Sequence, residues 1–300
     1  MVKTVGILSP GDMGAAIGGA LAAGGLRALV ALDERSDRSR QLAGEAGLED
    51  IGSVERMVET ADIVLSVLVP SEAVAAGERV AKALGAVGAR RTGAPLLYAD
   101  LNAIAPATTT RVGQIVEAAG ACFVDGGIIG PPPRKPGATR IYASGAQAQD
   151  LAALGDHGLD IRVIGDQIGQ ASGVKMCYAA MTKGFQALGT ELLVTAQRLG
   201  LEEPLRAELE GSQQALLGWL SKSVPSMPPK AHRWIGEMEE IAATFEAVGL
   251  TPRMLLGAAD MYRWIATTEL GHETPETRDQ NRELPAIVAA LAEDRGAKVG

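Results

Sequence analysis

The chain has 300 residues, which allows one large domain or two of ordinary size. Hydrophobic residues make up 47% and aromatics only 3%, so a core must be built from Ala, Val, Leu and Ile. A net charge of −8 argues against nucleic acid as a partner, and no apolar run approaches the roughly 20 residues of a membrane-spanning helix.

Strand-like and helix-like segments alternate through the first half. Strands are expected at 4–8, 28–32, 62–69, 95–100, 122–125, 140–143 and 161–163. Helices are expected at 15–23, 39–46, 54–59, 71–84 and 106–118. Such alternation implies parallel pairing in a doubly wound α/β sheet. After residue 163 only helical spacing remains. Val174, Cys177, Tyr178, Met181, Phe185, Leu188, Leu192 and Leu199 fall at intervals that predict one helix over 172–199, stopped by Gly200. Further helices are expected at 204–220, 230–248, 252–270 and 285–294, with a Pro-rich loop at 224–229. The organisation is therefore a Rossmann-type domain, 1–168, followed by an all-helical domain, 169–300. The N-terminal apolar run breaks at Pro10 and Gly11, which does not suit a secretory signal. Cys122 and Cys177 lie on apolar segments and suit core thiols in a reducing, cytoplasmic compartment.

The first strand runs into Ser9, Pro10, Gly11, Asp12, Met13 and Gly14. A dinucleotide-binding fold needs a tight turn there, then a close backbone approach to a pyrophosphate at a helix N-terminus. Ser9 stands where the first glycine of the G-x-G-x-x-G pattern is usual; Gly11 and Gly14 are kept, and Gly18 suits close helix-to-strand packing. The second strand ends near Asp33, followed by Arg35 and Ser36. An acidic residue there suits a ribose 2′-hydroxyl and NAD. An arginine and a hydroxyl suit a 2′-phosphate, so NADP is the expected cofactor, with NAD possible. The three histidines lack metal-ligand spacing, neither cysteine sits in a redox pair, and no G-x-S-x-G elbow exists.

Met13 within the glycine turn resembles the turn of the β-hydroxyacid dehydrogenases, which include 3-hydroxyisobutyrate dehydrogenase and 6-phosphogluconate dehydrogenase. The 62–70 stretch (DIVLSVLVP) is similar to the family strand whose end, here Val69 and Pro70, lies against the cofactor. Asn102 matches the position that reaches the nicotinamide side. The 169–175 stretch (GQASGVK) resembles the opening of the interdomain helix, which makes Lys175 the implied catalytic acid/base. The 123–130, 175–184 and 236–241 stretches resemble a less characterised, 6-phosphogluconate dehydrogenase-like subgroup with its own C-terminal helical domain.

That resemblance implies hydride transfer between NADP(H) and a hydroxy acid or related alcohol or carbonyl. A developing alkoxide needs a proton donor and charge stabilisation, and an ammonium at Lys175 serves both. Asn102, Gly130 and Tyr178 are the implied substrate contacts. The pattern also departs from the family. Ala179 stands where an Asn is usual, Ile129 and Gly130 replace a Ser-Gly pair, and a Lys–Asp pair is not evident near 237–240. These changes remove groups that would hold a small hydroxy acid, so a larger or less polar substrate is expected. Two alternatives remain: an imine reductase, and a catalytically degenerate NADP(H)-binding protein. A long helix feeding a single helical layer implies a homodimer.

Overall fold

A computed structural model describes residues 2–33, 35–135, 137–274 and 276–294. The chain divides into two compact units, Met1–Met176 and Cys177–Gly300.

The first unit is a sheet covered by helices. In order it contains β1 (Thr4–Ile7), α1 (Asp12–Ala23), β2 (Arg27–Val30), α2 (Asp37–Glu45), β3 (Glu49–Asp50), α3 (Val54–Thr60) and β4 (Ile63–Ser66). Next come α4 (Ala73–Val87), β5 (Leu97–Asp100), α5 (Pro106–Ala118), β6 (Cys122–Ile129), β7 (Arg140–Ser144), α6 (Ala148–Ala152) and β8 (Asp160–Gly165). The strands form one eight-stranded sheet, order β3-β2-β1-β4-β5-β6-β7-β8. The strand order changes direction between β1 and β4, the switch point of a doubly wound sheet. Side chains alternate between two cores. Val5, Ile7, Leu65, Ala99 and Val124 pack on the face of α1 and α6. Val64, Tyr98 and Phe123 pack on the face of α3, α4 and α5. Because both faces are covered, the strands read as apolar runs rather than as alternating ones.

Pairing is not parallel throughout, contrary to the expectation from alternation: β6 and β7 are antiparallel. The connection between them, 130–139, is too short for a crossover helix, which takes about a dozen residues. Gly130 makes the turn possible. Its φ is +123°, and a Cβ there would lie 2.3 Å from the Ala138 carbonyl oxygen. Both cysteines are free thiols, but Cys177 is exposed rather than in the core.

The long helix α7 (Gln170–Arg198) crosses from the first unit into the second. The expected 204–220 helix is two, α8 (Glu202–Ser212) and α9 (Gln214–Ser223). They break at Gln213, whose φ of −136° and ψ of 37° leave the helical region after the weak helix formers Gly211 and Ser212. Then come α10 (Ala231–Ala247), α11 (Arg253–Ala266), α12 (Glu269–His272) and α13 (Leu284–Glu293). Met238, Ile241, Leu255, Tyr262, Ile265 and Leu291 are buried in this unit. Among the described residues, no helix is long and apolar enough to cross a membrane.

Candidate functional site

The glycine turn leaves the carboxyl end of β1 and opens α1. Gly14 is required by geometry, since a Cβ there would sit 2.0 Å from the Ser9 carbonyl oxygen. Gly18 packs against Ile7 and Leu48, where a Cβ would come within 2.7 Å of the leucine. Gly11 is different, because a Cβ there would meet nothing within 4 Å. Gly11 is also the N-cap of α1 and brings no capping side chain. The first N–H groups of α1 therefore have no capping side chain, and the positive end of the helix dipole lies behind them. This cradle fits a pyrophosphate. Asp12 lies in the first turn, where its charge would oppose an anion. Arg38 Nη2 donates to Asp12 Oδ1 at 2.8 Å and offsets it. Pro10 is buried, and Met13 packs against the core under α1.

Arg35 is tied to the same turn. Its Nη2 donates to the Leu8 carbonyl oxygen at 2.8 Å. Burial, and then the nearby Arg79, lower its pKa from the ordinary guanidinium value. Ser36 is the N-cap of α2 and accepts from the Ser39 N–H at 3.3 Å. Arg35 and Ser36 thus sit on a short loop fixed at both ends beside the turn.

Asn102 is buried and its amide is fully engaged. Nδ2 donates to Ser66 Oγ at 2.8 Å and to Asp100 Oδ2 at 3.0 Å, while Oδ1 accepts from the Leu68 N–H. Its own N–H donates to Asp100 Oδ1 at 2.9 Å. The side chain therefore holds the end of β4 and the segment leading to Val69, which is exposed, and Pro70. Burial pushes the Asp100 carboxyl up to about 7, although its bonds from Asn102 pull the other way.

Asp125 carries the second buried network, and motif reasoning gave it no role. It is register partner to Asp100 across β5 and β6. Its Oδ2 accepts from Gly169 N–H at 2.8 Å, Ala171 N–H at 3.0 Å and Ser144 Oγ at 2.9 Å. The Ser172 N–H donates to Oδ1 at 3.1 Å. Desolvation raises the Asp125 pKa, with the bonds from Ser172, Ser144 and Gly169 opposing it. One carboxylate thus serves the orphan amides that open α7. Two residues along β6, Gly127 faces the same helix. A Cβ there would lie 2.7 Å from the Ala171 oxygen and 2.9 Å from Lys175 Cβ. A charged side chain inside an apolar strand was the readable signal for Asp125.

Gly130 shapes the β6–β7 turn described above. On α7, Tyr178 is exposed and Ala179 is buried. The second unit holds an ion pair that motif reasoning did not find. Lys183 Nζ pairs with Glu237 Oε2, and the two side chains are only 12% and 16% exposed. The ammonium lies 5.3 Å from the Trp234 ring centroid. Tyr262 packs edge-on to Trp234 and donates its hydroxyl to the Lys183 carbonyl oxygen at 2.7 Å. Among the described residues, no group of three or more His, Cys, Asp or Glu side chains is placed to hold a metal.

Comparison with known proteins agrees with this architecture. Residues 4–156 match the NAD binding domain of 6-phosphogluconate dehydrogenase, and residues 196–265 match a domain of unknown function, DUF1932. An uncharacterised 28.5 kDa protein from Methanothermus fervidus is 28% identical over 232 residues, 77% of this chain and 86% of that protein. The solved structure of MTH1747, a conserved protein of unknown function described as similar to 3-hydroxyacid dehydrogenases, is 27% identical. Its TM-score is 0.65, with 90% of this chain and all of that one covered. Two more distant structures share the fold. Mycobacterium tuberculosis 3-hydroxyisobutyrate dehydrogenase with L-serine has 20% identity and a TM-score of 0.67, covering 97% of this chain and 99% of that one. An Aspergillus terreus reductive aminase in complex with NADPH and ethyl-5-oxohexanoate has 17% identity and a TM-score of 0.54, covering 94% and 100%. With its glycine turn, its 3-2-1-4-5-6 core sheet and a match over more than half its length, the chain belongs to the family built on the NAD-binding domain of 6-phosphogluconate dehydrogenase.

Proposed function

We propose that the protein is an NADP(H)-dependent oxidoreductase that interconverts an alcohol or hydroxy acid and its carbonyl. One observation carries this reading. The open glycine cradle and Lys175 both lie at the carboxyl edge of the parallel strands of one unit, where doubly wound sheets bind their ligands. The uncapped first turn of α1 holds the pyrophosphate, with Gly11 admitting it. Arg35 and Ser36 hold the 2′-phosphate. The segment fixed by Asn102, ending at Val69 and Pro70, lines the nicotinamide side.

A bound nicotinamide supplies or accepts the hydride. Lys175 does the remaining work. In the reducing direction its ammonium donates a hydrogen bond to the substrate oxygen, stabilises the growing negative charge and delivers the proton that completes the alcohol. In the oxidising direction the neutral amine takes that proton back. Tyr178 is one turn along the same helix and assists in holding substrate.

The substrate is larger or less polar than 3-hydroxyisobutyrate. Ile129 is a buried side chain and Gly130 a turn residue, so neither offers a hydroxyl to a carboxylate. The working unit is a homodimer. Val174, Tyr178, Met181, Phe185 and Leu188 are all exposed on α7 at alternating spacings of four and three, the pattern of a helix-to-helix seam.

The test is a panel of hydroxy acids, aldehydes, ketones and cyclic imines, followed by nicotinamide absorbance with each cofactor. Turnover of carbonyl compounds with NADPH is expected, and 3-hydroxyisobutyrate is expected to be poor. Turnover of imines alone, or tight NADPH binding with no turnover, contradicts the assignment and favours an imine reductase or a binding protein respectively.

A further inference from the structure

Strand β6 meets α7 at two points two residues apart, and strand geometry puts both on one face. At the first point the Asp125 carboxylate receives the N–H groups of Gly169, Ala171 and Ser172. At the second, Gly127 lets Lys175 approach to a distance that no other residue would allow. Lys175 is four residues after Ala171, so it stands one turn above the capped amide. A helix held at its start and pressed flat one turn later has neither axial slide nor rotation left. Slipping by one residue would turn Lys175 by about 100° and move it about 1.5 Å.

We propose that Asp125 is the positioning residue for Lys175. Its carboxylate fixes the first turn of α7 on β6, while Gly127 sets the spacing. Ser144 keeps the arrangement in one state, since its hydroxyl bonds both Asp125 Oδ2 and the Ala171 N–H. The groups facing Asp125 are Asp100 from β5, Ser144 from β7, and Gly169, Ala171 and Ser172 from α7 and its approach. Asp125 thus stands beside the Asn102 network at the end of β4, where its charge adds to burial in raising the Asp100 pKa. The inference rests on the reading of Lys175 as the proton donor.

The test needs no substrate. Trace acetic anhydride competes for the lysines of the NADPH-bound protein across a pH series, and peptide mass spectrometry reads the labelling midpoint of each. Amide exchange of the 166–176 peptide is measured alongside. In Asp125→Asn the first-turn amides should exchange about tenfold faster. With the first turn of α7 no longer fixed, the Lys175 midpoint should move by about half a pH unit or more, with Lys222 unchanged. Faster exchange with an unmoved Lys175 midpoint overturns the proposal. If Asp125→Asn does not fold, Gly127→Ala carries the test. It keeps the carboxylate but forces the helix outward, so the Lys175 labelling rate at fixed pH should change more than threefold. An unchanged rate overturns the proposal. Lys175→Met separates the two ideas: full turnover in that variant removes the proton-donor reading and leaves the labelling result standing on its own.

Discussion

Gly11→Ala separates binding from folding. Gly11 has a φ of −72° and a ψ of −175°, which alanine adopts without strain, and an added Cβ meets nothing within 4 Å. The cost to the fold is therefore about 1 kcal/mol or less, mainly from the poorer helix cap. The same methyl group projects over the uncapped first turn of α1, where the pyrophosphate must approach the backbone. Losing two charge-assisted hydrogen bonds there costs about 3–4 kcal/mol, a rise of roughly 100- to 1,000-fold in Kd. Gly14→Ala is the control, because its Cβ would lie 2.0 Å from the Ser9 carbonyl oxygen and must distort the turn. It should destabilise the fold by about 1–3 kcal/mol as well as lose the cofactor. The assay is NADPH titration by nicotinamide fluorescence, paired with thermal unfolding. Gly11→Ala protein that melts normally and binds NADPH within threefold of the parent would refute the placement of the cofactor over this turn.

Arg35→Ala should raise the Kd for NADPH by about 30- to 100-fold and leave NADH within threefold, as expected for one charge-assisted contact to a 2′-phosphate. Equal loss for both cofactors would show that Arg35 acts through its tie to Leu8 instead. Asp100 gives a pH dependence. Its folded pKa of about 7 lies above the ordinary carboxylate value, so the folded state keeps a proton that the unfolded state has released. Stability from this group is greatest at acid pH and falls as pH rises through about 7, by about 3 kcal/mol between about pH 5 and pH 8. Denaturant unfolding at both pH values should show that fall in the parent and a flatter profile in Asp100→Asn; equal slopes contradict it. In the second unit, Glu237→Ala leaves the Lys183 ammonium beside Trp234 without its carboxylate and should cost about 3–5 kcal/mol. The double change Lys183→Met, Glu237→Leu should return to within about 2 kcal/mol of the parent, because apolar pairs replace buried ion pairs at little cost. Equal destabilisation by the single and double changes would show that the pair does more than neutralise itself.

Local chemistry made most of the sheet unit readable. Apolar runs bounded by glycine or proline marked β1, β4 and β5, and Pro106 marked the start of α5 where the structure has it. The glycine turn was legible in its pattern, and Gly14 and Gly18 each have a separate steric cause in the fold. What was not legible depends on partners distant in sequence. The direction of β7 follows from the length of the 130–139 connection, not from any residue in the strand. β3 consists of Glu49 and Asp50, both exposed, and carries no apolar signal at all. Asp125 serves amides more than 40 residues away, and Lys183 finds Glu237 across 54 residues. In the sequence Asn102 reads as a contact to cofactor and substrate. In the fold its side chain and N–H make four hydrogen bonds that shape the end of β4, which spacing alone does not reveal.

The central claim is that Lys175 moves the proton while the glycine cradle holds the cofactor. Its most direct test is single-turnover deuteride transfer from 4-deuterated NADPH to the best carbonyl substrate of the panel, comparing the parent with Lys175→Met. The account predicts a loss of at least about 100-fold in the transfer rate, with the NADPH Kd unchanged within about twofold, since general acid catalysis contributes about that much. Transfer at the parental rate in Lys175→Met would contradict it.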